Sequence, residues 1–184
     1  CTIYKIIFTG TMKNLDIDLT GYMLIPGNNQ TNSMYSENII LICTKNSKST
    51  IGIILNKVID DITLPTLIEQ LSIKNVSEYY KDIKNIPIHF GGPEEISRGF
   101  VIHTNTKLYS NTINITNSIS LTSSIDILRD MTNGIIPHKL LIAIGMTVFK
   151  THELEAEIAN NTWLITKATE DLVFVKNPKK QREI

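Results

Sequence analysis

"NIILICTKNSKSTIGIILN", residues 38–56, is the stretch on which the fold turns. Two isoleucine-rich runs, "NIILICT" and "TIGIILN", flank the polar link "KNSKS". β-Branched runs suit a pleated sheet surface, and a short polar link between two of them predicts a hairpin. Both runs are almost wholly apolar instead of alternating. That pattern predicts strands covered on two faces, paired as antiparallel neighbours in the middle of a sheet. Gly52, inside the second run, marks a bulge or a close backbone approach. Cys43, inside the first, reads as a small buried hydrophobe.

Upstream, "GYMLI" (residues 21–25) is predicted as a strand ended by Pro26-Gly27, and the polar residues 28–37 as a mobile loop. Downstream, Leu64, Leu67, Ile68 and Leu71 have the spacing of one buried helix face, with Thr63 as N-cap and Pro65 in the first turn. "IPIHF" and "GFVIHT" are strands, and "INITNSISL" is weak strand or extended chain. A second helix starts near Ser123 or Ser124, buries Ile127, Leu128 and Met131, and stops at Gly134. "KLLIAIG" is a buried central strand. A third helix follows Thr151 with Leu154 and Ile158 inside, and "TWLIT" and "LVFV" are the last strands. Trp163 and Phe149 read as core. The irregular order of elements predicts an α+β fold: a single compact domain with a mixed, largely antiparallel twisted sheet and about three flanking helices. Residues 19–175 form this domain. Residues 1–18 are an N-terminal extension or first strand, and 176–184 a basic C-terminal tail.

Between two of these strands lies "FGGPEEISRGFVIHT", residues 90–104. A residue before proline is driven away from helical angles, and glycine opens conformations closed to other residues. Gly91, Gly92 and Pro93 therefore form a stiff kink. Pro93 suits the start of a helical turn, which would place Glu94 and Glu95 at its positive end and repel an external phosphate. Arg98 lies within reach of either acid. A simple hairpin register would bring His89 and His103 together, but a two-histidine site lacks a third ligand at a recognisable spacing. A hydrogen-bonded structural role is the simpler reading of both. Asn56 ends a buried strand, where it caps a loop or lines a pocket.

Composition narrows the function. The 184 residues carry 18 Lys and Arg against 18 Asp and Glu, so no global field draws the chain to nucleic acid or an anionic membrane. The two cysteines make neither a disulfide framework nor a zinc site, and no apolar run reaches membrane-spanning length. A cytoplasmic protein without metal or cofactor is expected. Nucleophile elbow, phosphate loop, dinucleotide fingerprint and His-Glu-x-x-His motifs are all missing, which argues against an enzyme.

Taken together, "LTGYMLIPG", "IILICTKN", "IGIILNK", "FGGPEEISRGFVIHT" and "LEAEIANNTWLI" resemble the AlgH/YqgE family of bacterial proteins over residues 19–175. Gly52, Asn56, Gly91, Gly92, Pro93, Arg98, Gly99, Phe100 and His103 match its pattern. The resemblance implies a compact α+β domain in the bacterial cytoplasm, and some members carry a label as transcriptional regulators. Where the family shows a Gly-aromatic-Ala-Gly-Trp segment, this chain has Gly145, Met146, Thr147, Val148 and Phe149, and Glu153 replaces a glutamine. A pocket lined by that segment would differ here. The leading reading is a binding or indirect regulatory module that acts through a protein partner or a small ligand, its candidate pocket formed by Asn56, Gly91, Gly92, Pro93, Arg98 and His103. The rival is an enzyme in which Asn56, Arg98 and His103 converge near the glycine loop.

Overall fold

The structure is a computed structural model and describes residues 18–74, 79–105 and 107–175. The two apolar runs pair as expected. Strands β2 (Ile40–Lys45) and β3 (Ser49–Ile54) are antiparallel, and Asn46 closes their turn by accepting from the Lys48 and Ser49 amides. Neither is an edge: β1 (Tyr22–Pro26) flanks β2, and β9 (Leu140–Lys150) flanks β3. Gly52 marks a close approach, since a Cβ there would meet Ile40 Cγ2 at 2.4 Å; the register shift lies opposite it, between Ile42 and Thr44.

The remaining strands are β4 (Val58–Thr63), β5 (Pro87–Phe90), β6 (Glu94–Thr104), β7 (Thr112–Asn114), β8 (Ile119–Thr122) and β10 (Trp163–Lys167). They form one sheet in the order β10-β1-β2-β3-β9-β6-β8-β7, with β5 also on β9 and β4 on β5. The β5–β9 pair is parallel and the others are antiparallel, so the sheet is mixed and largely antiparallel. "INITNSISL" is the β7–β8 hairpin. β4 escapes sequence reading because "VIDDIT" is polar and mostly exposed, as suits an edge strand.

Helices are α1 (Leu64–Gln70), α2 (Tyr80–Ile83), α3 (Asp126–Thr132), α4 (Thr151–Ala159) and α5 (Glu170–Val173). The three expected helices are α1, α3 and α4; α2 and α5 are single turns. Thr63 caps α1 as predicted, accepting from the Thr66 amide. Leu64 and Ile68 are buried, but Leu71 lies past the helix end and is 46% exposed. The expected strand "LVFV" is replaced by α5, because Thr169 caps a turn through the Leu172 amide and Glu170 and Asp171 favour its positive end.

The sheet curls around one core and is covered on its outer faces by two more. The inner core joins Leu41, Cys43 and Ile53 to Phe100, Ile102 and Leu121 from the other half of the sheet. Helices α1, α2 and α3 bury Leu64, Ile68, Ile83, Ile127 and Met131 against Val101 and Ile142. Helix α4 seals Leu24, Ile40, Ile54 and Trp163 through Leu154. Residues 28–37, expected to be a mobile loop, form hydrogen-bonded turns pinned by Tyr35, whose ring lies 5.6 Å from Phe149 and 5.8 Å from Trp163. Among the described residues, no helix is long and apolar enough to cross a membrane. The basic tail and residues 1–17 lie outside the described residues.

Candidate functional site

The glycine loop is a crossing. On one side of β9, His89 pairs Ala143 and Phe90 pairs Ile144; on the other, Phe100 pairs Ala143 and Gly99 pairs Ile144. Gly91, Gly92 and Pro93 carry the chain over β9 from one side to the other. The approach is too close for side chains: a Cβ on Gly91 would lie 2.2 Å from the Gly145 carbonyl oxygen, and one on Gly92 2.2 Å from the Met146 carbonyl carbon. Gly92 has φ +152° and Gly145, beneath it, φ +77°. The Gly91 amide donates to Ile144, while its carbonyl accepts from the Ile54 amide and the Thr147 hydroxyl. Those backbone groups serve the sheet, not a ligand.

Three expectations about this loop fail. His89 and His103 are not hairpin neighbours, because β9 runs between β5 and β6. Glu94 begins a strand opposite Met146, not a helical turn, because the crossing delivers the chain directly into a new ladder. Arg98 takes neither local acid: its guanidinium donates to Ser123 Oγ at 3.2 Å and lies 5.3 Å from the Phe100 ring centre.

His103 is fully buried in a chain of hydroxyls. Its Nδ1 lies 3.0 Å from the Thr104 carbonyl, which can only accept, so Nδ1 carries the proton. Nε2 then accepts from Thr122 Oγ1 at 2.8 Å, and the Thr112 hydroxyl, 2.7 Å from Thr122 Oγ1, donates onward to it. Burial pushes His103 below its ordinary pKa, and does the same to His89, whose Nδ1 faces the Ile142 carbonyl. Asn56 is a loop clamp: Oδ1 accepts from the Ile39 amide at 2.9 Å and Nδ2 donates to the Glu37 carbonyl at 2.8 Å. The hydrogen-bond partners of Asn56, Arg98 and His103 share no residue. Among the described residues, no group of three or more His, Cys, Asp or Glu is placed to hold a metal.

The structure offers a different concavity. Past the crossing, Glu94 faces Met146 and Gly99 faces Ile144, so β6 carries surplus residues that bulge away from β9. Glu95, within the bulge, takes φ +51°, a left-handed conformation strained for a residue with a side chain. The bulge holds Ile96 68% exposed. Ile96 lines a groove of about 400 Å³ together with Leu67 and Leu71 from the end of α1 and Val101, Ile142 and Ile144 from β6 and β9. Ser123, Ser124 and Leu128 line it as well, and none of the described residues lining the groove is charged. None of the candidate residues named from sequence lines this groove; Arg98 only donates to Ser123, which does. The signal available in the sequence was Ile96 itself, a lone large apolar residue within "EEISRG".

Comparison with known proteins agrees with this architecture. The family model described as AlgH-like matches residues 23–182. A UPF0301 protein from Buchnera aphidicola is 35% identical over 158 residues, covering 86% of this chain and 83% of its own. One from Jannaschia is 34% identical over 165 residues, covering 89% and 84% respectively. The solution structure of the AlgH protein from Pseudomonas aeruginosa superposes with a TM-score of 0.75 at 24% identity, over 94% of this chain and 89% of that one. A crystal structure from Corynebacterium diphtheriae gives 0.65 at 15% identity, over 89% and 83%. At these identities the two structures speak to fold alone.

Proposed function

This chain belongs to the AlgH-like family, and from that premise we propose that it is a non-enzymatic binding module of the bacterial cytoplasm that acts indirectly, through a ligand or partner held in the groove between the β6 bulge and α1. One observation carries the reading: Ile96 and Leu71 stand 68% and 46% exposed, and both line one groove with no charged residue among its described lining. Large apolar side chains left exposed along a cleft are the usual mark of a binding site. The enzyme reading needs Asn56, Arg98 and His103 to converge. Two of the three are instead buried and satisfied, His103 by Thr104 and Thr122 and Asn56 by Glu37 and Ile39.

Regulation at the level of transcription is indirect in this reading, since equal numbers of basic and acidic residues give no field favouring duplex DNA. The test is amide shift mapping of isotope-labelled protein against a set of small apolar compounds. Shifts are expected to cluster on residues 96–101 and 123–128. Shifts centred instead on Asn56 and His103 would overturn the groove reading in favour of the rival site.

A further inference from the structure

We infer that the groove takes an extended segment of a partner protein, which adds to β6 as a short antiparallel strand opposite Gly99 and brings an uncharged apolar side chain into the groove. This deepens the proposal above and rests on its reading of the groove as the binding site. Backbone register locates the contact. In an antiparallel ladder, successive residues of a strand turn their N–H and C=O groups to opposite sides. Thr104 of β6 donates to the Lys139 carbonyl beside β9, and the next residue, Asn105, donates to the Ser118 carbonyl beside β8. Even-numbered residues of β6 therefore bond β9, and odd-numbered ones bond β8. Val101 is the last of the odd set with a partner, Thr122. Gly99 comes next and turns its N–H and C=O to the same side. Continuing the register would set Ser124 opposite it.

β8 does not supply that rung. The Ser123 amide donates to the Asn111 carbonyl, and the Ser124 hydroxyl accepts from Ser110 and donates to Asp126 as α3 begins. No described residue outside β6 bonds the Gly99 N–H or C=O. Gly99 and Ser124 both line the groove, so the open rung lies within it. A donor and an acceptor side by side carry partial charges of opposite sign. They are complementary to the C=O and N–H of one residue in an antiparallel strand, and main-chain bonds of this kind are how sheet edges take extended peptides. A hydrocarbon matches neither group, and a simple ion matches only one. Residues opposite each other in a ladder share a face of the sheet. Gly99 shares its face with Val101, which packs with Ile142 among the side chains of α1 and α3. The partner residue opposite Gly99 thus sends its side chain to the side of the sheet where Leu71, Val101 and Ile144 line the groove. A charged side chain there would lose hydration and meet no charged partner among the described lining.

The experiment titrates the isotope-labelled full chain with the acetylated and amidated peptide Thr-Leu-Thr-Leu-Thr and with two N-methylated forms of it. One form is methylated at both leucines, the other at the last two threonines. A leucine opposite Gly99 points its own N–H at β6, whereas the threonine amides point away. The parent peptide is expected to shift the amides of Gly99 and residues 122–124 and to slow exchange of the Gly99 amide. Leucine methylation weakens binding at least about tenfold, the scale of two lost hydrogen bonds, and threonine methylation leaves it unchanged. Gly99→Pro removes the N–H that faces the groove without touching the bonds that even-numbered residues make to β9, and it abolishes binding; Gly99→Ala keeps the N–H and the binding. Unfolding midpoints verify that both variants are folded, and the methylated peptides decide the matter if Gly99→Pro is not. Equal sensitivity to the two methylation patterns overturns the strand-addition proposal, as does a parent peptide that shifts none of these amides. A Gly99 amide that becomes protected in the free protein as its concentration rises would show a second copy in the rung and overturn the assignment to a separate partner. In each of these cases the groove reading stands or falls on the separate mapping with small apolar compounds.

Discussion

At the scale of single residues, burial converts groups that look reactive into structural ones. The Cys43 thiol is 2% exposed, and burial pushes its pKa up to about 12, so almost none is thiolate at neutral pH. Native protein should label with a thiol reagent far more slowly than urea-unfolded protein, and equal rates would contradict the burial. His89 and His103 carry a pH dependence with a definite sign. Burial lowers both below the ordinary 6.5 in the folded state, so the unfolded chain binds more protons as pH falls through that value. Their contribution to stability is full above 6.5 and is lost as pH drops below it; ordinary carboxylates titrate lower still. The urea midpoint should fall between about pH 8 and about pH 5.5, and a His89→Gln/His103→Gln double variant should flatten that fall. An unchanged slope in the double variant would assign the dependence to other groups.

At the scale of elements, the loop at residues 91–99 separates two kinds of glycine. Gly92→Ala places a Cβ 2.2 Å from the Met146 backbone at a φ that favours glycine, so it should destabilise by at least about 3 kcal/mol. Gly99→Ala meets open space and should stay within about 0.5 kcal/mol of wild type. Chemical unfolding of the pair decides it, and equal losses would mean that the crossing does not set the requirement. Arg98, exposed and held by one hydroxyl, should cost less than about 1 kcal/mol on change to Ala. This pattern also marks how far the sequence could be read. The kink at Gly91, Gly92 and Pro93 was legible from local chemistry, as was the β2–β3 hairpin from its apolar runs. "KLLIAIG" was legible as a buried central strand, but that the kink crosses it was not, because Gly145 is distant in sequence and nothing local names its partner. The groove was illegible for the same reason: Leu71, Ile96, Ser123 and Ile144 meet only after β6 and β9 have paired. Asn56, Arg98 and His103 carried recognisable side chains, yet their hydrogen bonds depend on partners elsewhere in the chain.

At the scale of the whole molecule, β9 joins the two halves of the sheet. Its first residues pair with β5 on one side and β6 on the other, and its last residues pair with β3. The inner core draws side chains from both halves, Leu41 and Ile53 from one and Phe100 and Leu121 from the other. Neither half has a closed core without the other, so the domain should unfold in one cooperative step. Native-state hydrogen exchange tests this directly. Amides paired within β2 and β3 and those paired within β6 and β9 should exchange at the same limiting free energy, equal to the global value from urea unfolding. Ala143→Pro sharpens the test. Ala143 pairs Phe100 on one side and His89 on the other, and proline removes a ladder donor in the middle of the sheet. If β9 is the shared element, that substitution lowers protection in β2 and β3 as much as in β6, although Ala143 pairs with neither of the first two. Protection that persists in β2 and β3 while β6 opens would show two independent folding units and would refute the shared-strand argument.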